Sequence, residues 1–166
     1  MPVETVIGDL FTSLETVRLH GCNARGSFGS GIAGQMNRYH PEARVAYMLA
    51  FDEGRVRLGS IVWARSNTHR IANAITQDDF GRVKGVRYAD YEAIRSCMRR
   101  LEVTVLRSHA EDRVREWFGG EVRRVAMPRI GAGLAGGDWE VIEAIIAEEA
   151  RSFTAVIYAP PPSTGS

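Results

Sequence analysis

A glycine-rich segment, residues 127–139, constrains the fold of this chain more than any other part of it. It reads Met-Pro-Arg-Ile-Gly-Ala-Gly-Leu-Ala-Gly-Gly-Asp-Trp, with four glycines within seven residues. A short apolar run, 122–127, precedes it, and an amphipathic helical pattern follows. A loop of this kind, with few side chains between a strand and a helix, can direct its backbone N–H groups at an anion. The dipole of the following helix also favours the binding of an anion. The segment therefore predicts a cradle for a phosphate or pyrophosphate group.

Length and composition predict one folded domain over residues 1–158. The chain has 166 residues, of which 45% are apolar, and this is enough to bury a sizeable core. The last eight residues, 159–166, read Ala-Pro-Pro-Pro-Ser-Thr-Gly-Ser and predict a disordered tail. The net charge of +1 gives no long-range attraction for nucleic acid.

Cysteine usage and the absence of apolar stretches indicate where the protein works. Cys22 and Cys97 lack the spacing of metal ligands, which favours a reducing compartment. No signal-peptide pattern starts the chain, and no apolar run approaches the ~20 residues that span a bilayer. We therefore expect a cytoplasmic protein with no metal, no cofactor and no membrane partner.

Strand and helix patterns alternate along the chain. Extended apolar runs predict six strands, at 3–7, 16–20, 60–64, 70–76, 122–127 and 153–158. Three- and four-residue periodicity predicts helices at 32–39, 41–50, 88–108, 111–118 and 138–151, although 103–106 also fits a strand. This alternation predicts a three-layer α/β/α domain with a mixed, mostly parallel central sheet of about six strands.

A second glycine-rich loop, residues 24–31, also follows a predicted strand and opens a helix. Ligands of such sheets bind beyond the carboxyl ends of the strands, so both loops can face one ligand. Together they could clamp the two phosphates of a dinucleotide-like molecule, or they could be ordinary tight turns. The spacing fits neither the P-loop nor the dinucleotide-binding fingerprint.

Four side chains near these loops each have two interpretations. Asp9 could accept a hydrogen bond from an adenine amino group or initiate a turn. Asn23 could bind a ribose hydroxyl or cap its own turn. Phe28 could cover a ribose or anchor its loop. Asp138 could act as a general base or as the N-cap of the last helix.

Three segments together resemble the macro domain family, whose fold binds ADP-ribose. They are Ile7-Gly8-Asp9-Leu10-Phe11, then Asn23 with Gly29-Ser30-Gly31-Ile32-Ala33, and the segment 127–139. The resemblance covers about residues 3–158. It is strongest to the branch that holds terminal ADP-ribose protein glycohydrolase and the ADP-ribose-1''-phosphate phosphatases of yeast and phage type.

The resemblance implies a role for each matching residue. Asp9 would hold the adenine beside the Leu10 backbone, the two loops would wrap the pyrophosphate and distal ribose, and Asn23 would lie near the scissile bond. The implied ADP-ribose contacts are Asp9, Leu10, Asn23, Phe28, Gly29, Ser30, Gly31, Ile32, Ala33, Gly131, Ala132, Gly133, Leu134, Ala135, Gly136 and Gly137.

Two departures from the related glycohydrolases concern the mechanism. Gln77 stands where they carry the Lys that forms a covalent intermediate, and an amide nitrogen is not nucleophilic. Ala135 stands where they carry Asp. The candidates left for catalysis are Asp138, Asn23 and Gln77.

We therefore expect hydrolysis at C1'' of mono-ADP-ribose esterified to acidic protein side chains, without a lysyl intermediate. The alternatives are an ADP-ribose-1''-phosphate phosphatase and a non-catalytic reader of ADP-ribose. The expected partner is ADP-ribose or a mono-ADP-ribosylated protein, with nucleic acid only as an ADP-ribosylated substrate.

Overall fold

The computed structural model describes residues 2–162 and contains six strands and five helices within them. A 3₁₀ turn at Leu10–Thr12 follows the first strand. The strands are β1 Val3–Ile7, β2 Val17–Asn23, β3 Ile61–Arg65, β4 Arg70–Gln77, β5 Arg124–Met127 and β6 Thr154–Ala159. The helices are α1 Gly31–Tyr39, α2 Pro41–Asp52, α3 Tyr91–Ala110, α4 Asp112–Phe118 and α5 Trp139–Glu149.

All six strands form one sheet in the order β1-β6-β5-β2-β4-β3. Every neighbouring pair is parallel except β3 and β4, which are antiparallel. One hydrophobic cluster joins the sheet to α3, α4 and α5, and a second joins it to α1 and α2. The helices thus cover both faces, and the predicted three-layer fold with a mixed, mostly parallel sheet is confirmed.

Helix α3 shows how the sequence pattern produces this packing. Ile94, Met98 and Leu101, at four- and three-residue steps, are each fully buried. Asp90 caps the start of the helix, because its carboxylate accepts a hydrogen bond from the Ala93 N–H at 3.0 Å. Residues 103–106 continue the helix, with Val103 56% exposed, so the alternative strand assignment there is wrong.

Strand pairing extends β2, β3, β4 and β6 past their predicted ends. β2 continues to Asn23, because β4 pairs with it as far as Gln77. β6 includes Ala159, which pairs with Ile7, and its carbonyl accepts a hydrogen bond from the Gly8 N–H at 2.9 Å. The predicted tail therefore begins at least one residue too early, and its residues 163–166 lie outside the described part of the chain.

The order of strands in the sheet brings the starting points of three loops close together. β5, β2 and β4 are adjacent and parallel, so their carboxyl ends lie on one edge. β2 ends at Asn23, β4 ends at Gln77, and β5 ends at Met127. Both glycine-rich loops leave the sheet at this edge.

A buried arginine of β2 holds the turn that follows β1. The Arg18 guanidinium donates to the carbonyls of Phe11 at 3.0 Å and Ser13 at 3.1 Å, and to the Ser13 hydroxyl at 3.0 Å. It also donates to His40 Nε2 at 2.7 Å. Burial, with the neighbouring Arg18 charge, lowers the pKa of His40 to about 4, so His40 is neutral and can accept.

Replacing this arginine should destabilise the fold. Arg18→Met leaves the buried carbonyls without their donors, and we expect the free energy of unfolding to fall by about 2 kcal/mol or more. Urea unfolding measures the change, with Arg44→Met on the exposed face of α2 as the control. Equal stability of the two variants would contradict this role of Arg18.

Candidate functional site

A cleft of about 330 Å³ opens at the sheet edge where β2, β4 and β5 end. Both glycine-rich loops line it, and the segment that follows β4 closes one side. The lining residues are Gly21, Cys22, Asn23, Ser27, Gly29, Ser30, Gly31, Ile32, Ala33, Gln77, Phe80, Gly81, Arg82, Pro128, Arg129, Ile130, Gly131, Gly133, Leu134 and Ala135.

Asn23 holds the first loop in shape. Its side-chain oxygen accepts from the Arg25 N–H at 2.9 Å and the Ser27 N–H at 3.3 Å, and its NH₂ donates to the Ser27 carbonyl at 2.8 Å. The Tyr47 hydroxyl donates to the Asn23 carbonyl at 2.7 Å. Asn23 thus lines the cleft and also caps its own turn, and most of its hydrogen-bonding capacity is used within the loop.

Phe28 anchors the same loop from below. The ring is 5% exposed, meets His20 edge-on at 5.4 Å between centroids, and packs against Tyr47 at 5.1 Å. Burial lowers the pKa of His20 to about 4, so an uncharged imidazole supports the loop. Phe28 does not line the cleft, so the structure shows its anchoring role, and its expected contact with a ligand stays a prediction.

The backbone of residues 29–33 presents donors to the cleft. These five residues line it, and helix α1 begins at Gly31 after the N-cap Ser30. The first N–H groups of a helix have no intrahelical acceptor. Within residues 2–162 the N–H groups of 29–33 have no acceptor, and the Ser30 side chain forms no cap bond. This geometry, with the helix dipole, favours an anion.

The second loop divides its N–H groups between folding and the cleft. Ala132 donates to Arg129 at 3.2 Å, Gly136 to Gly133 at 3.0 Å, and Gly137 to Gly131 at 2.7 Å. Ala132, Gly136 and Gly137 do not line the cleft, and these hydrogen bonds shape the loop. Their expected contacts with a ligand stay predictions. Residues 131, 133, 134 and 135 do line the cleft. Across the described chain, no acceptor is found for their N–H groups.

Two glycines of this loop are required by its geometry. Gly131 and Gly136 have φ of +74° and +73°, a conformation that side chains disfavour. A Cβ on Gly136 would also lie 2.5 Å from the Val86 carbonyl oxygen. The glycines of this segment therefore serve the close packing of the loop against Val86, as well as leaving its backbone free of side chains.

Asp9 and Leu10 lie at the turn after β1 and do not line the cleft. The Asp9 carboxylate accepts from the Phe11 N–H at 2.9 Å, as the turn-initiating interpretation requires. Leu10 is 4% exposed. Their predicted contacts with adenine stay predictions.

The other two catalytic candidates occupy different places. Gln77 lines the cleft beside Asn23, and its NH₂ donates to the Asp79 carbonyl at 2.8 Å. Asp138 does not line the cleft: its carboxylate accepts from the Glu140 N–H at 2.9 Å and so caps α5. The structure thus gives Asp138 the capping role and offers no support for its role as a general base.

The chemistry of the cleft is that of an anion receptor. Arg82 and Arg129 line it, and its lining residues in the described chain include no Asp, Glu, His or Lys. Cys22 lies at its floor, 4% exposed, and burial raises the pKa of that thiol well above its ordinary value. The site supplies positive charge and N–H donors, but no side chain suited to proton transfer near neutral pH.

Sequence reasoning missed part of this lining. Arg129 lies within the glycine-rich segment, and its charge next to the cradle could have indicated it. Phe80, Gly81 and Arg82 carry no local motif, because only the path of the chain after β4 brings them to the cleft.

Neither a metal site nor a membrane span is found among residues 2–162. These residues contain no group of three or more His, Cys, Asp or Glu side chains placed to hold a metal ion. None of the described helices combines the length and the apolar character needed to cross a bilayer.

The family model described as Macro domain matches residues 19–146. The chain belongs to the macro domain family. An uncharacterized 17.5 kDa protein of the tk-vs intergenic region of Enterobacteria phage T4 is 33% identical over 132 residues, 76% of this chain and 75% of the relative. The ADP-ribose 1''-phosphate phosphatase of Meyerozyma guilliermondii is 29% identical over 157 residues, 84% and 89% of the two chains.

Solved structures share this fold. The macrodomain of Mycobacterium tuberculosis DarG matches with a TM-score of 0.77 at 23% identity, covering 96% of this macro domain and 97% of that chain. Thermosipho africanus DarTG, solved in complex with ADP-ribose, matches with a TM-score of 0.72 at 18% identity, covering 99% and 43%.

The capping role of Asp138 can be separated from its charge. Asp138→Ala removes the acceptor for the Glu140 N–H, and we expect the free energy of unfolding to fall by about 1 kcal/mol. Asp138→Asn keeps a capping oxygen and should lose only a few tenths of that amount. Urea unfolding of both variants measures the difference, and equal losses would argue against the cap.

Proposed function

We propose that this macro domain binds ADP-ribose in the cleft and hydrolyses a bond at C1'' of the distal ribose. One observation carries the proposal: residues 29–33 and residues 131, 133, 134 and 135 line one cleft, and their N–H groups have no acceptor within residues 2–162. A diphosphate between two such loops would receive hydrogen bonds from both sides, and charge-assisted bonds of this kind are the stronger ones.

The charges of the cleft agree with a diphosphate. Arg82 and Arg129 add positive charge to the dipole of α1, and no lining carboxylate opposes it. The ADP-ribose in the Thermosipho africanus complex and the names of the yeast relatives support the same ligand class.

The cleft lining includes no side chain that could act as a general acid, and this limits which groups can leave from C1''. A bond at C1'' breaks with oxocarbenium-like charge on the ribose, and here no side chain is placed to protonate the departing oxygen. Carboxylates and phosphates are weak bases that depart as anions without a proton, whereas a serine alkoxide or an arginine nitrogen needs one. An ester to an acidic protein side chain is therefore the substrate we favour.

Water is the proposed nucleophile. Asn23 is engaged within its loop, whereas Gln77 places a side-chain amide in the cleft and forms a hydrogen bond through its NH₂ alone. Its oxygen can accept from a water, and a phosphate oxygen of the ligand can take the proton. This path forms no covalent enzyme intermediate.

ADP-ribose-1''-phosphate is the second candidate substrate. The phosphatase of Meyerozyma guilliermondii aligns along most of both chains. A cleft lined by arginines and no carboxylate also accepts a third phosphate group without repulsion.

Binding can be tested by adding one charge to the cradle. Leu134 is 61% exposed and lines the cleft, so its side chain can be exchanged with little effect on folding. Leu134→Glu should weaken ADP-ribose binding by about tenfold or more through repulsion of the diphosphate, and Leu134→Gln much less. Calorimetry measures both affinities, and no binding by the unchanged protein would overturn the proposal.

Turnover can be tested with a series of linkages. We expect release of ADP-ribose from glutamate esters and from the 1''-phosphate, and none from serine or arginine linkages. In isotopically labelled water, attack at C1'' leaves the released carboxylate or phosphate unlabelled. Binding without release from any substrate would identify a reader, and borohydride trapping of an adduct would contradict direct attack by water.

A further inference from the structure

A basic and apolar segment borders the cleft. Residues 80–87, Phe-Gly-Arg-Val-Lys-Gly-Val-Arg, follow β4 and are called the rim below. The rim contains three cationic residues and no acidic one. Phe80, Gly81 and Arg82 line the cleft itself, while Lys84 and Arg87 lie outside its lining.

The rim is attached to the second glycine-rich loop. The N–H groups of Tyr88 and Ala89, directly after the rim, both donate to the Ala135 carbonyl, at 2.7 and 3.0 Å. Gly136 packs so closely under Val86 that a side chain there would meet its carbonyl. The rim therefore keeps a fixed position relative to the diphosphate cradle.

The cations of the rim are not neutralised by the protein. Among residues 2–162, Arg82, Lys84 and Arg87 form no ion pair with an acidic side chain, although the Arg87 guanidinium lies 4.2 Å from the centre of the Tyr91 ring. Of the nearby acids, Asp78 is paired with Arg25 at 2.9 Å, Asp79 accepts a hydrogen bond from the Phe80 N–H at 2.8 Å, and Asp90 caps α3. The rim itself is cationic, and the acids Asp78, Asp79 and Asp90 that flank it in the sequence form no ion pair with its cations within residues 2–162.

Apolar side chains are exposed between these charges. Phe80 is 50% exposed, Val83 63% and Val86 42%, and Leu134 across the cradle is 61% exposed. Apolar side chains grouped beside a binding cleft are typical of a surface that contacts a partner.

The rim adjoins the end of the cleft where the linkage would be cleaved. It follows Gln77 after only two residues, and Gln77 pairs with Asn23 at the ends of β4 and β2. With C1'' near Asn23, as the family resemblance implies, a chain attached to a bound ADP-ribose would leave the cleft beside this end.

We infer that the rim binds an acidic peptide segment that flanks the ADP-ribosylated carboxylate, an inference that rests on the proposed function. Carboxylates on either side of the modified residue meet Arg82, Lys84 and Arg87, and apolar side chains of the same segment contact Val83 and Val86. A peptide is favoured over a nucleic acid because single-stranded nucleic acids bind through series of stacked aromatic rings, and the rim offers Phe80 alone.

Binding of stable conjugates tests the inference apart from turnover. ADP-ribose is joined by a non-hydrolysable amide to a peptide with acidic flanks, to one with neutral flanks, and to an oligonucleotide. Calorimetry compares these three with free ADP-ribose. We expect the acidic conjugate to bind at least about fivefold more tightly than the neutral one, with the gain reduced by salt.

The variant Lys84→Gln/Arg87→Gln should remove this gain and leave the affinity for free ADP-ribose unchanged. Arg44→Gln/Arg113→Gln, at exposed positions of α2 and α4, is the control for loss of two charges and should keep the gain. Equal affinity for the acidic and neutral conjugates overturns the inference and leaves the proposed function standing. Tighter binding of the oligonucleotide conjugate overturns the choice of a peptide, and no binding of free ADP-ribose overturns both proposals.

Discussion

The unpaired backbone N–H groups of the two glycine-rich loops are the feature on which the rest of the site depends. Gly29, Ser30, Gly31, Gly133 and Leu134 are exposed, so water can satisfy their N–H groups until an anion replaces it, provided that the loops keep their shape. Here the support is specific: the Asn23 side chain and Tyr47 fix the first loop, and the bond from Gly137 to Gly131 closes the second. A bound anion would satisfy these donors without moving the backbone.

The same support explains why several polar residues near the cleft are not free for chemistry. Asp138 caps α5, Asp9 closes its own turn, and Asn23 is engaged by its neighbours. Gln77 differs, because it enters the cleft with its oxygen unused by the protein. Residues that build the cradle are thus separate from the Gln77 amide within it, and this division favours a mechanism in which ligand and water supply the reacting groups.

Local patterns predicted most of the elements and the two loops. The stripe in α3 and the cap Asp138 depend on neighbours within four residues, so the sequence indicated them. The cap Asp90 was missed, because the helix was predicted to begin at residue 88. The ends of β2 and β6, the burial of Phe28 and the arrival of Arg82 at the cleft depend on contacts between distant segments. Such contacts follow from the order of strands in the sheet, which no local pattern encodes.

Cys22 at the floor of the cleft has a consequence for the durability of the site. Burial keeps its sulfur protonated, and a thiol is a poor target for peroxide or electrophiles compared with a thiolate. A reactive sulfur at this position would be open to oxidation, and the added oxygen atoms would take up space in the cleft. This macro domain carries a cysteine there in its least vulnerable form.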